Sequence, residues 1–296
     1  MPGLNNWIDF DYNERRCVLD TSSLDTSVTF KQAIDKATEH IRYTYPNLYI
    51  SLSGGIDSEF TAKCFLERGI AFTPLIVDYI SNGAEVWWAY KWCYENNVVP
   101  DVIKLSKEKY ISICTKYAKQ YNTSFFSAID FMMEEYVSSR GGSLLLSTTE
   151  PFNKIDCFSD VFEKPDSVNL NFASYDFMID YHIPDRHPYS FFTYIPEVVY
   201  NMVKDIDTTK SIQFSMSEFY DVDPRPKIPV VMNHLLLGFD SINNIGTLNH
   251  GLNLYTLEIG DKASFLEKCE KKQSIQCVWK ERQPTLYKKS TTHNQS

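Results

Sequence analysis

The residues best suited to chemistry are Ser53, Gly54, Gly55, Ile56, Asp57 and Ser58, a hexapeptide with two hydroxyls, two adjacent glycines and one carboxylate. Gly54 and Gly55 have no Cβ, so the backbone can turn tightly there and approach an oxyanion closely. Ser53 and Ser58 add hydroxyl donors. A carboxylate beside phosphate oxygens is repulsive unless a cation lies between them, which makes Asp57 a candidate magnesium contact. The pattern is not a Walker loop: no G-x-x-x-x-G-K-[ST] occurs, and no lysine follows the glycines.

The flanking segments are those that such a site needs. The apolar run Leu48 to Leu52 reads as a strand, and Glu59 to Arg68 reads as a helix. First-turn N–H groups of a helix have no intrahelical partner and carry the positive end of its dipole, so they point at whatever sits in the turn. Phosphate is the usual guest. An ordinary glycine turn with a serine cap is the plain alternative, but strand, loop and helix follow in the order that phosphate binding requires.

The pattern of strands and helices continues on either side. Val28 to Arg42 sets Phe30, Ala33, Ile34, Ala37 and Ile41 at helical spacing, and Pro46 ends that helix. Phe72 to Tyr79 is a buried-strand run. Glu85 to Glu95 is expected as a helix and Val98 to Leu105 as a strand; helices over 107–121 and 127–138 and a strand from Ser143 follow. Trp87, Trp88 and Trp92 are expected to pack between layers. The alternation through residue 150 implies an α/β fold, a parallel twisted sheet with helices on both faces. Beyond it, Phe152 to Ser190 is aromatic and acidic, and Ile195 to Ile206 reads as a helix with Pro196 at its start. The expected organisation is an N-terminal extension over 1–29, a phosphate-binding α/β core over 30–155, an irregular or helical C-terminal extension over 156–287, and a disordered tail over 288–296.

The hexapeptide resembles the PP-loop (N-type) ATP pyrophosphatases, whose signature is S-G-G-x-D-S at the end of the first strand; every fixed position matches. Residues 30 to 80 are similar to the entry of the synthetase domain of asparagine synthetases, without the glutaminase domain. The resemblance implies an adenine nucleotide α-hydrolase-like, Rossmann-like core that grips the β and γ phosphates of ATP and exposes the α phosphorus. It implies ATP and Mg2+ as cofactors, with Ser53, Gly54, Gly55, Ile56, Asp57 and Ser58 on the phosphates. Val77 and Asp78, at the end of the second strand, are implied for the adenosine. In asparagine synthetases the strand matching Ser143 onward runs into a glycine-rich acidic loop that helps hold magnesium. Thr148, Thr149 and Glu150 occupy that place here without its glycines, leaving Thr148 a candidate for the nucleotide and Glu150 for the metal.

An adenylating enzyme also needs cations to neutralise departing pyrophosphate. Arg225 and Lys227, on the proline-stiffened string Asp223 to Lys227, are candidates, as is Lys154, with Lys210 a further one. His182 and His187 flank Asp185, but Pro184 and Pro188 break any helix there and no third ligand is evident.

Composition narrows the partners. The 296 residues are 43% hydrophobic and 15% aromatic, ample for a large core. Net charge is −9, which argues against a broad nucleic-acid surface. No run approaches a membrane span, and Asp9, Asp11 and Glu14 stand where a signal peptide has an uncharged core, so a cytoplasmic location is expected. Seven cysteines without a C-x-x-C pair indicate free thiols.

These features together predict an AMP- and pyrophosphate-forming enzyme that activates a carboxylate- or amide-type oxygen of a small-molecule substrate for attack by ammonia or an amine. The alternatives are a PP-loop sulfurtransferase, for which Cys64, Cys93 and Cys157 are available, a protein like the sulfonucleotide reductases, and a non-catalytic nucleotide-binding protein.

Overall fold

The structure is a computed structural model that describes residues 7–11, 16–79, 82–121, 125–147, 151, 166–171, 188–225 and 254–282. In chain order its elements are β1 (Ile8–Asp11), β2 (Arg16–Leu19), α1 (Phe30–Thr44), β3 (Leu48–Ser51), α2 (Ile56–Glu67), β4 (Thr73–Tyr79), α3 (Gly83–Glu95), β5 (Asp101–Leu105), α4 (Lys107–Tyr121), α5 (Phe125–Ser138), β6 (Ser143–Leu146) and β7 (Ser167–Asn171). They continue with β8 (Tyr189–Ser190), α6 (Pro196–Asp205), α7 (Ile212–Tyr220), β9 (Leu254–Asp261), α8 (Lys262–Glu270) and β10 (Ile275–Arg282).

One sheet has the order β5-β4-β3-β6-β8, and each neighbouring pair is parallel. Parallel strands of this kind need cover on both faces. Ile50 and Leu145, aligned in register, meet Ala33, Ile34 and Ile41 of α1 and Phe60 and Phe65 of α2 on one face. α3 joins this face through Val86, Ala89 and Trp92 against Leu52 and Ile76. Leu75, Leu144 and Leu146 point the other way, as strand alternation requires, and pack with Tyr110 and Cys114 of α4 and Phe131 and Val137 of α5. The helix entering β3 begins with a reciprocal cap between Thr29 and Gln32, which satisfies two orphan donors and fixes where α1 starts.

A second sheet, β1-β2-β10-β9-β7, is antiparallel throughout. It draws β1 and β2 from the segment expected as an N-terminal extension and the other three strands from the segment expected to be irregular or helical. Its strands β1 and β2 are four residues each; β1 pairs with β2 alone, and β2 joins the sheet through β10 at the far end of the chain, as Cys17 with Cys277, so local patterning carries little trace of them. α6 links the two sheets. Val198 and Met202 on one side of this helix pack with the α1 and α2 cluster, while Val199 and Val203 pack with Cys17, Leu19, Ile259 and Ile275. A helix buried on both sides acts as a strut rather than a surface element. Among the described residues no helix is long and apolar enough to cross a membrane.

Candidate functional site

From β3 the chain moves outward to β4 and β5, then returns to the other side of β3 for β6 and β8. That reversal opens a crevice at the carboxyl ends of β3 and β6, where open α/β sheets take ligands. The hexapeptide Ser53 to Ser58 is the connection that leaves β3 at this point and runs into α2.

The two glycines of the loop do different things. Gly54 has φ +92°, and a Cβ placed on it would lie 1.9 Å from the Glu85 carbonyl oxygen at the start of α3. Both its conformation and the close passage of α3 demand glycine. Gly55 has an extended backbone, φ −75°, is exposed, and would place a Cβ no nearer than 3.5 Å to Ser53 Oγ. It is the N-cap of α2 and gives the helix no side-chain cap. The first-turn amides are thus left for a guest on the open side of Gly55.

Hydroxyls brace the loop from within. Ser58 Oγ donates to the Gly55 carbonyl at 2.9 Å. It lies 3.2 Å from Ser53 Oγ, which accepts the Gly55 N–H at 3.3 Å. With the Ser58 proton committed, Ser53 is the donor between the two hydroxyls. Ser58 is buried and Ser53 exposed, so the first supports the loop and the second stands at its surface. Asp57, half-buried in the first turn of α2, has the charge that the positive end of the dipole favours.

Val77 and Asp78 lie at the end of β4, beside this loop. The Leu52 N–H donates to the Leu75 carbonyl at 2.8 Å, so odd-numbered residues of β4 turn their main-chain groups toward β3. Since β3 ends at Ser51, Val77 and Tyr79 face the space beyond it. Asn82 meets them both: Nδ2 donates to the Val77 carbonyl at 2.8 Å, and Oδ1 accepts the Tyr79 N–H at 2.9 Å. Asn82 is buried, and the sequence reading missed it, because an asparagine just ahead of a helix looks like an ordinary cap. The Asp78 carboxylate accepts the Tyr90 hydroxyl at 3.0 Å. Burial, and then the Asp78 carboxylate, push the Tyr90 phenol up to about 12.

Ser147 was also missed. Continuing the register Ile50 to Leu145 by two places sets it beside Leu52 at the base of the loop. Its Oγ is buried and finds no hydrogen-bond partner among the described residues.

Arg225 approaches the loop from the other side. α7 lies against α2 through Phe60 stacked on Tyr220, centroids 4.2 Å apart, and through Lys63 Nζ donating to the Asp221 carbonyl at 2.7 Å. Asp221 ends α7 in the left-handed conformation, φ 51°, and the chain then delivers Arg225 to the loop. Nη1 donates to the Gly54 carbonyl at 2.9 Å, Nη2 pairs with the Glu59 carboxylate, and the guanidinium lies over the Trp88 ring, 4.6 Å from its centroid. Burial pulls the guanidinium down to about 10, still cationic at neutral pH. Trp92 packs in the core as expected, whereas Trp87 is exposed.

Of the other expected residues, Lys210 is tied to Glu218 at 2.6 Å and to Asp207 on the surface. Thr148, Thr149, Glu150, Lys154, Cys157, His182, His187 and Lys227 lie outside the described residues. The thiols on α2 and α3 are poor nucleophiles here: burial raises Cys64 to about 12 and Cys93 to about 11, far above neutral pH.

No protein-family model matches the chain, and no curated protein does. Among solved structures the chain is similar to an ammonia-dependent NAD synthetase from Campylobacter jejuni subsp. jejuni, at 16% identity and TM-score 0.35, covering 75% of this chain and 93% of that one. An NMN synthetase from Francisella tularensis gives 14% identity and TM-score 0.35 with the same coverage. A glutamine-dependent NAD+ synthetase from Acinetobacter baumannii gives 12% and 0.36, with 74% of this chain matched to 43% of that one. At this level the likeness carries no functional inference.

Proposed function

We propose that the chain is a PP-loop ATP pyrophosphatase that binds Mg·ATP at Ser53 to Ser58 and adenylates a carboxylate- or amide-type oxygen of a small-molecule substrate. The observation that carries this reading is the hexapeptide itself, which leaves the central strand at the topological switch point and enters a helix whose first turn has no side-chain cap. An anion gains there from the helix dipole and from the first-turn amides of a helix that has no side-chain cap.

In this reading the α phosphorus faces the crevice. A substrate oxygen attacks it, pyrophosphate leaves on the loop side, and ammonia or an amine then displaces AMP. The work of the chain is positioning and charge stabilisation. Asp57 is the residue that would hold magnesium; a hard carboxylate oxygen suits that ion. Its other ligands would be phosphate oxygens and water, with Glu150, which lies outside the described residues, as the further protein ligand expected from the sequence. Bound magnesium would offset the negative charge gathering on the departing pyrophosphate. Amine attack needs no protein nucleophile; the raised Cys64 and Cys93 thiols make poor sulfur carriers, and Cys157, the third cysteine of the sulfur-transfer alternative, lies outside the described residues.

The test is pyrophosphate release from Mg·ATP by the purified protein, with and without a pool of cell metabolites and ammonium, alongside Asp57→Ala. Release that requires metabolites and vanishes in Asp57→Ala is the expected result. ATP binding without release under any condition would point to the non-catalytic nucleotide-binding protein instead, and ATP binding undiminished in Asp57→Ala would remove the assignment of the phosphate site.

A further inference from the structure

The peptide unit between Gly54 and Gly55 is held at both ends. Its carbonyl accepts Arg225 Nη1 at 2.9 Å and its N–H donates to Ser53 Oγ at 3.3 Å. A trans peptide presents these two groups in opposite directions, so the pair of contacts sets the rotation of that plane and the aim of the amides following it. Gly54 lies in a left-handed conformation and Gly55 has no Cβ, so the two glycines alone would leave this rotation loose.

Arg225 is itself fixed on three sides. The Glu59 carboxylate balances its charge, the Gly54 carbonyl takes Nη1, and the Trp88 ring lies under the guanidinium. Planar, forked donors make such a combination available to arginine and not to lysine. A cation already paired with Glu59 has little charge to offer a departing pyrophosphate, although Asp223 to Lys227 is where such a cation was expected.

We propose that Arg225 is a positioning residue: a clasp through which the segment after α7 sets the Gly54–Gly55 peptide, and hence the anion cradle of the loop. The part concerning the cradle rests on the phosphate reading above; the part concerning loop geometry does not. The clasp makes the seating of α7 on α2, by Phe60 with Tyr220 and Lys63 with Asp221, a condition for an ordered loop.

The test compares Arg225→Lys and Arg225→Ala with the unaltered chain. Amide hydrogen exchange of the segment 52–59 is measured without ligand, and the dissociation constant for pyrophosphate with magnesium by calorimetry. Loss of a charged hydrogen bond is worth about tenfold. Loop exchange is expected to rise about tenfold in both variants while the α1 segment is unchanged, and pyrophosphate binding to weaken about tenfold in both. Millimolar methylguanidinium should restore affinity to Arg225→Ala, and methylammonium should not, because planar geometry and not charge is what is missing. If Arg225→Lys matches the unaltered chain in both exchange and affinity, the clasp is wrong and a simple cation suffices. If loop exchange rises as expected but the unaltered chain binds no pyrophosphate, the clasp on the loop stands and the phosphate reading falls. Should Arg225→Ala fail to fold, Arg225→Lys alone decides.

Discussion

Asn82 Nδ2 donates to the Val77 carbonyl at 2.8 Å, across the end of the strand that the sequence resemblance assigns to the adenosine. The same carboxamide accepts the Tyr79 N–H, so one buried side chain acts as the strand neighbour that β4 lacks beyond Ser51. A ligand that uses the Val77 carbonyl must therefore displace Asn82 or approach from elsewhere. Substituting Asn82→Ala leaves a buried donor and acceptor unmet and should lower stability by about 1–3 kcal/mol. Asn82→Asp is more telling. A carboxylate keeps the Tyr79 contact but turns an anionic oxygen on the Val77 carbonyl, whereas the protonated acid can donate to it. Urea denaturation should find Asn82→Asp the less stable variant at pH 7 and show its deficit shrinking as pH falls toward 4. A deficit independent of pH would contradict the bridging geometry.

His40 provides a pH dependence remote from the loop. Its Nδ1 lies 2.6 Å from the Tyr194 hydroxyl, and burial holds the imidazole below its ordinary value of 6.5. The unfolded chain then binds this proton first as pH falls. His40 thus favours the folded state fully above pH 6.5, and that contribution is lost as pH drops from 6.5 through the depressed folded value. Denaturation midpoints measured between pH 5 and 8 should fall on acidification by more in the unaltered chain than in His40→Gln. Equal slopes would show that His40 is not responsible.

The parts of the fold that could be read in the sequence are those whose signals are local. The spacing of Ala33, Ile34, Ala37 and Ile41 and the stop at Pro46 place α1 within two residues, and the apolar run at Leu48 with the glycines at 54 and 55 marks strand, loop and helix together. The second sheet depends on pairings such as Cys17 with Cys277, where β2, at four residues, is too short to show its own periodicity and its partner strand lies at the far end of the chain. Arg225 was legible as a cation on a stiffened segment. Its direction was not, because that depends on Tyr220 stacking on Phe60 and on the left-handed turn at Asp221. Trp87 illustrates the opposite failure: helical spacing put it with Trp92, yet the two fall on different sides of α3, and only Trp92 is buried.

The cysteines lead to a chemical prediction. Cys17, Cys64, Cys93, Cys114, Cys269 and Cys277 are all buried free thiols. For Cys93, raised to about 11 by burial, the thiolate at pH 8 is on the order of one part in a thousand. Iodoacetamide at pH 8 should therefore leave these six unlabelled in the native protein and modify them all in denaturant, as read by mass spectrometry of peptides. Cys64→Ala and Cys93→Ala should also leave pyrophosphate release unchanged. Rapid native labelling of Cys64 or Cys93 would instead reopen the sulfur-transfer reading.

The two loop glycines separate folding from binding. An alanine at 54 would have to keep φ +92° and place its methyl carbon 1.9 Å from the Glu85 carbonyl oxygen. Backbone strain and overpacking together should lower stability by about 3 kcal/mol or more. At 55 the backbone is one that any residue adopts, and a methyl carbon meets nothing closer than 3.5 Å. Gly55→Ala should then change stability by about 1 kcal/mol or less. The new methyl group, however, stands on the exposed side of the uncapped helix, where an anion must come within hydrogen-bond distance of the amides. Thermal denaturation and calorimetric titration with magnesium pyrophosphate read the two effects independently. Gly54→Ala is expected to fail in the first and Gly55→Ala in the second. If Gly55→Ala binds pyrophosphate as the unaltered chain does, the anion does not enter over Gly55, and the first turn of α2 is not its seat.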